Sequence, residues 1–269
     1  YLRLAAARDR GRRASWLRLL AHECAHFWWG HRVPSTVLGG GGNWLREGLA
    51  EWSGNRAAET VLAGEGGEPL RTLFGANLRS YLRRFDPRRG RTGEVVFGNE
   101  VTLRDATYLD PGAVAYHRGA LVHRRLEMLL GAEAFRAGLR RYGRDRAHRF
   151  TGIDDYVRAL DPSGERGAAK QVAYYVATTR LPDLELTGVR AGPGRLEATV
   201  SCLDPLWPGG RVPVRITTEG GVRTAFVEVR DGTGTLRWEG KGTPREVEVD
   251  PERWMLDPIP SNNRWKTDG

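Results

Sequence analysis

The hydrophobic positions divide the chain into two parts with different periods. Up to about residue 180 they recur at helical spacing, and beyond it they alternate. The stretch SWLRLLAHECAHFWWG (residues 15–30) predicts a helix capped by Ser15 and closed by Gly30, with Pro34 just beyond. NWLREGLAEWSGNRAAETVLAG (43–64) predicts a second helix with Asn43 as its cap, and NLRSYLRRF (77–85) a short third. In AVAYHRGALVHRRLEMLLG (113–131), Val122, Leu126, Leu129 and Leu130 fall on one helix face. AEAFRAGLRRYGRDR follows a break at Gly131. TGIDDYVRALD opens with Thr151 and Asp154 in capping-box spacing, and GAAKQVAYYVATT is the last helical run. Residues 86–112 are rich in turn formers and carry little pattern.

From Leu184 the runs LELTGVR, RLEATVSCL, RVPVRITTE, RTAFVEVRD, LRWEGK and REVEVD alternate, and glycine-containing turns separate most of them. This spacing predicts a small antiparallel β-sandwich. The reading is therefore a mainly α domain over residues 1–181 and a β-sandwich domain over 182–269.

Composition changes this picture little. The 269 residues are 40% hydrophobic and 28% charged, as in folded globular chains. No apolar run approaches the roughly 18 residues of a membrane span. The net charge of +9 raises the question of a nucleic-acid partner. All but three of the 42 basic residues are arginines, and they are scattered among Asp and Glu rather than gathered in a stripe. The reading is a solvated arginine-rich surface, not a nucleic-acid interface. The two cysteines, Cys24 and Cys202, lie in different parts of the chain, so no disulfide is expected, and Cys24 reads as a small buried residue. The opening YLRLAAARDRGRRASW shows no signal-peptide pattern and is expected to be an N-terminal truncation.

The candidate chemistry lies in HECAH, residues 22–26. On a helix His22 and His26 share a face and can hold one metal ion. Glu23, rotated by about 100°, points away from that shared position yet reaches a water beside the metal. Two imidazoles on zinc with a glutamate as general base is the chemistry of HExxH. A catalytic zinc takes a third protein ligand. Glu47 on the next helix supplies one, and its neighbour Glu51 at i+4 repels it unless a cation stands between them. Glu51 is placed to accept a hydrogen bond from the outer N–H of a liganding histidine.

AHECAHFWWGHRV followed by WLREGLAEW resembles the M1 family of zinc aminopeptidases, the gluzincins. YHRGALV, residues 116–122, is similar to that family's Tyr-x-Lys-Gly-Ala block, and QVAYYVATTRLPDLEL to the end of its thermolysin-like catalytic domain. The β-rich tail resembles the small β-sandwich that often follows. The resemblance implies one zinc per chain held by His22, His26 and Glu47, with Glu23 as general base and proton shuttle and Tyr116 as donor to the oxyanion of the tetrahedral intermediate. It implies a peptide or protein substrate and release of N-terminal residues.

The departures are specific. The 20 residues between His26 and Glu47 exceed the family's usual spacing by two, which the glycines at 39–42 can absorb. Phe27 and Arg118 stand where Gln and Lys are common. The family's amine-binding Gly-x-Met-Glu-Asn stretch and N-terminal β-domain are not in this sequence. An endopeptidase of the same fold and a non-catalytic binding or scaffold member are accordingly the alternatives. His31, His117, His123 and His148 read as solvated or supporting histidines. Trp28, Trp29, Trp44 and Trp52 read as packing between the two ligand helices.

Overall fold

Helix α1 (Arg10–Ala25) carries the HECAH sequence and ends inside it. The computed structural model describes residues 10–36, 41–64, 72–84, 87–89, 95–97, 102–106 and 113–267. The chain forms two compact units, residues 1–85 with 99–179 and residues 86–98 with 180–269. Gly39 and Gly40 of the glycine run, and most of the weakly patterned stretch 86–112, lie outside the described residues.

The first unit is helical. A π-helical turn (Trp44–Gly48) runs directly into α2 (Leu49–Ala63). Helix α3 covers Thr72–Arg84. A second π-helical turn (Ala113–Arg118) runs into α4 (Gly119–Leu130). Then come α5 (Ala132–Asp145), α6 (Ile153–Leu160) and α7 (Ala168–Ala177). Ala14 of α1, Ala58 and Leu62 of α2 and Leu73 of α3 form one buried cluster, with Leu17 against it. Helix α2 crosses α1 closely at Gly54, where a β-carbon would stand 2.6 Å from the Arg18 carbonyl oxygen. Only glycine permits this approach, and it brings Glu51 under His22.

The predicted helices form, with different ends. Helix α1 begins before Ser15, and the Ser15 hydroxyl bonds back to the Gly11 carbonyl at 3.1 Å instead of capping a first turn. The helix stops at Ala25, so residues 26–30 lie in turns and not in the predicted last helical turn. Asn43 has helical dihedrals and makes no capping bond. At α6 the Gly152 N–H donates to Asp155 at 3.5 Å, so the predicted capping residues Thr151 and Asp154 are each displaced by one position. The Thr151 hydroxyl instead pairs with the Tyr142 hydroxyl at 2.7 Å.

Three basic residues of the 113–131 segment, Arg118, His123 and Arg125, are core residues. Arg118 is fully buried, with its guanidinium on the Tyr81 hydroxyl at 3.0 Å and on the Tyr175 and Thr178 carbonyls at 3.1 and 2.6 Å. It ties the second π-turn to the end of α7. His123, expected to be solvated or beside the site, is fully buried: its ring stacks on Trp44 and Nδ1 lies 2.7 Å from the Tyr156 hydroxyl. A helix face that packs on Trp44 and Tyr156 leaves no route to solvent.

The second unit is antiparallel β. Strands β1 (Pro87–Arg89), β2 (Val95–Phe97) and β3 (Arg180–Leu181) form one small sheet in that order. Strands β4 (Leu184–Gly192), β5 (Arg195–Cys202) and β8 (Thr233–Glu239) form a second. The third has the order β10-β9-β6-β7, from Arg264–Lys266, Pro244–Val249, Gly210–Thr218 and Gly221–Val229. Alternation holds as the sequence predicts: Leu196, Ala198 and Val200 of β5 and Val212, Val214 and Ile216 of β6 are buried. Both cysteines are free thiols, Cys202 buried and Cys24 exposed, the latter against expectation. Among the described residues no helix is long and apolar enough to cross a membrane.

Candidate metal centre

His22 is one turn before the end of α1, and His26 stands just past it in a turn closed by its own N–H on the Glu23 carbonyl at 3.3 Å. Glu47 comes from the first π-turn and Tyr116 from the second. π-Helical turns inside α-helices recur at functional sites because the extra residue re-aims a side chain. Here each of the two turns delivers one residue to the same cleft.

Each imidazole is oriented by a bond on its far side. His22 Nδ1 faces Glu51 Oε2 at 3.1 Å, and His26 Nδ1 faces the Trp29 carbonyl at 3.0 Å. Both partners are acceptors, so both Nδ1 atoms carry the proton and both Nε2 lone pairs turn into the site. The two Nε2 atoms are 3.2 Å apart, and Glu47 Oε2 lies 3.6 Å from that of His22 and 3.3 Å from that of His26. Glu47 Oε2 is buried beside the two imidazoles. Three acceptors thus converge on one point, with a ligand atom of each residue within 4.8 Å of the others. With metal–ligand bonds of about 2.0–2.1 Å, the edge of a tetrahedron is about 3.3–3.4 Å. The three separations match that edge, so the donor set fits zinc.

The electrostatics carry the same signature. Burial acts to lower the His22 pKa, but the hydrogen bonds and charges of Glu47 and Glu51 outweigh it and bring it to about 9. His26 is raised, chiefly by Glu47 and against its burial. Burial pushes the Glu47 carboxyl upward, yet the hydrogen bonds of His22 and His26 and the charges of His26 and Arg46 hold it below the usual carboxylate range. The group is one in which a cation is strongly favoured, whether two protons or a divalent metal.

Glu51 is a charged pivot behind the centre. Besides His22 it accepts Arg18 Nη1 at 2.6 Å on each oxygen and Asn77 Nδ2 at 2.8 Å. Asn55 Nδ2 donates to Asn77 Oδ1 at 2.7 Å, and Asn77 Nδ2 lies 2.8 Å from His117 Nδ1. The ionised Glu51 offers no proton, so it fixes which way the Asn77 amide faces, and Asn77 in turn makes His117 Nδ1 an acceptor. Asn77 and Asn55 escaped the sequence reading because polar residues inside helices carry no pattern of their own.

The centre opens onto a cavity of about 450 Å³ lined by Arg18, Leu19, His22, Glu23, His26, Glu51, Tyr116 and His117. Glu23 is exposed there, next to His22 in sequence. The Tyr116 ring stacks on His22 with centroids 5.5 Å apart and planes 9° apart. Burial, then the charge of Glu47 and a hydrogen bond to it, push the Tyr116 phenol up to about 12, so it is a proton donor at neutral pH. The structure therefore brings together all six residues singled out from the sequence.

The tryptophans divide. Trp44 and Trp52 are buried, Trp52 edge-on to Phe135. Trp28 is 53% exposed and lines, with Cys24 and Trp29, an open groove of about 630 Å³ between α1 and α5. It is not packing between ligand helices, because α1 ends three residues earlier and the turn carries it outward.

Residues 5–176 match the model of the peptidase family M1 domain. Aminopeptidase M1-A of Oryza sativa subsp. japonica is 31% identical over 180 residues, covering 62% of this chain and 19% of that protein. Aminopeptidase M1 of Arabidopsis thaliana is 29% identical over 189 residues, with the same coverage of 62% and 19%. The chain thus spans about a fifth of the length of these relatives. The crystal structure of Legionella pneumophila aminopeptidase A in complex with aspartic acid is similar in fold, with a TM-score of 0.60 and 15% identity over 89% of this chain and 26% of that one.

Proposed function

The chain belongs to peptidase family M1, and from that premise we propose that it hydrolyses peptide bonds with one zinc ion held by His22, His26 and Glu47, releasing N-terminal residues. The observation that carries the reading is the tetrahedral spacing of three convergent acceptor atoms with Glu23 and Tyr116 on the same cavity. Zinc in this place supplies a Lewis acid for the scissile carbonyl and makes water acidic enough to attack near neutral pH.

The residues then divide the work. Glu23 takes the proton of the attacking water and hands it to the leaving amine. Tyr116, protonated at neutral pH, donates to the oxyanion of the tetrahedral intermediate. Glu51 and the Trp29 carbonyl keep the two imidazoles in the tautomer that offers Nε2. The release of N-terminal residues is supported by the names of the two plant relatives, and the substrate class by the family.

The test has two stages. Metal content by elemental mass spectrometry is expected to give about one zinc per chain, lost in His22→Ala. Peptides with a free amine are then expected to be cleaved and their N-acetylated counterparts spared. Equal rates on both would reduce the reading to endopeptidase, and a chain that takes up no zinc would remove it.

A further inference from the structure

The two π-turns that deliver Glu47 and Tyr116 meet glycine to glycine. A β-carbon at Gly48 would stand 3.0 Å from both the Cα and the carbonyl carbon of Gly119 and 3.2 Å from the Ala115 carbonyl oxygen. One at Gly119 would stand 3.0 Å from the Gly48 Cα. Gly48 follows Glu47, and Ala115 and Gly119 bracket Tyr116. Both glycines have buried surroundings, and Gly48 has ordinary right-handed dihedrals, φ −65° and ψ −41°. Neither is therefore required by an unusual turn. In the body of a helical run glycine is disfavoured relative to alanine, so a packing reason is needed, and the contact supplies it.

We propose that Gly48 and Gly119 are positioning residues, whose backbone contact sets how far the Tyr116 phenol stands from the metal-ligand cluster. Carbon atoms settle at about 3.5–4.0 Å, so a methyl group on either glycine drives the turns apart by about half an ångström. The ligands themselves come from the end of α1 and the first π-turn. A substitution at Gly119, in α4, is expected to displace Tyr116 relative to His22, and zinc content reports whether Glu47, next to Gly48, has moved with it. The kinetic consequence rests on the proposed hydrolysis; the geometric one does not.

The experiment uses Gly119→Ala, each measurement repeated with Gly48→Ala, which presses on the same contact from the other side. The first readout is NMR of the histidine rings. The His22 ring protons feel the Tyr116 ring stacked upon them, and in Gly119→Ala their shifts are expected to move toward those of Tyr116→Ala. Shifts identical to wild type in both glycine variants would overturn the proposal. The second is a double-mutant cycle: Gly119→Ala is expected to lower kcat about tenfold or more with zinc content kept, and less than about twofold in a Tyr116→Phe background. An equal loss in both backgrounds would mean that the glycine acts through stability or metal and would overturn it. A wild-type chain that cleaves no peptide counts against the proposed function, and the NMR shifts then decide the contact alone.

Discussion

His22 and Glu51 face each other across 3.1 Å, Nδ1 to Oε2, and Glu51 is held for that bond by both Arg18 and Asn77. A carboxylate in this position raises the basicity of the imidazole and removes its rotational freedom. It also pairs with Arg18, which stands one turn before His22 on α1.

Replacing Glu51 by Gln keeps the shape and removes the charge. Zinc affinity is expected to fall about 10–100-fold, measured by titration against a competing chelator. An unchanged dissociation constant would show that His22 is oriented well enough by packing alone.

Glu23→Gln separates binding from chemistry. Glu23 is exposed on the cavity and takes no part in the cluster of three acceptors. The variant is expected to bind about one zinc and to lose hydrolysis almost completely, since a general base typically contributes about 10²–10⁴ in rate. Normal turnover would remove Glu23 from the role assigned to it.

Tyr116→Phe keeps the ring that stacks on His22 and deletes only the hydroxyl. A single oxyanion donor is worth about 10²–10³ in kcat, and that loss is expected with KM and zinc content little altered. A large rise in KM with kcat preserved would make Tyr116 a substrate-binding group instead.

The part of this site that can be read in the sequence is the part with fixed local spacing. His22 and His26 at i, i+4, and Glu47 and Glu51 at i, i+4, are legible because a helix converts spacing into direction. The two π-turns are not, since Trp44–Gly48 and Ala113–Arg118 keep an α-like hydrophobic period while changing where one side chain points. Gly48 and Gly119 were the available signal, as two glycines in helical runs that no cap explains. Burial of Arg118 and His123 was illegible for another reason: each takes its polar partners from residues 33 to 79 positions away in sequence. The β unit was the easiest part, because one-sided burial writes itself as alternation. Cys24 and Trp28 were misread because helix α1 ends at Ala25 and the following turn presents its end to an open groove.

His123 gives a pH-dependent prediction away from the candidate metal centre. Its burial pushes the pKa down to about 3, with only a weak opposing bond to the Trp44 carbonyl at 3.5 Å. The groups facing it are Trp44, stacked at 4.5 Å, and the Tyr156 hydroxyl, which burial keeps protonated well above its usual range. Neither offers a charge to an imidazolium. In the unfolded chain histidine titrates near about 6.5, so between that value and about 3 the unfolded state binds the additional proton. Stability therefore contains the full contribution of neutral His123 above about pH 6.5 and loses it progressively as the pH falls toward 3. Two buried carboxyls of the β unit act in the opposite sense. Burial raises Asp250 to about 7 and Asp257 to about 6, so their contribution declines as the pH rises through those values. A bulk unfolding curve mixes the three, and the discriminating measurement is residue-specific. In a histidine-labelled NMR titration from pH 8 to 5, the His123 ring is expected to keep its neutral shifts throughout. A midpoint near 6.5 for that resonance would show that water reaches the ring and that the Trp44–His123–Tyr156 packing is looser than the fold requires.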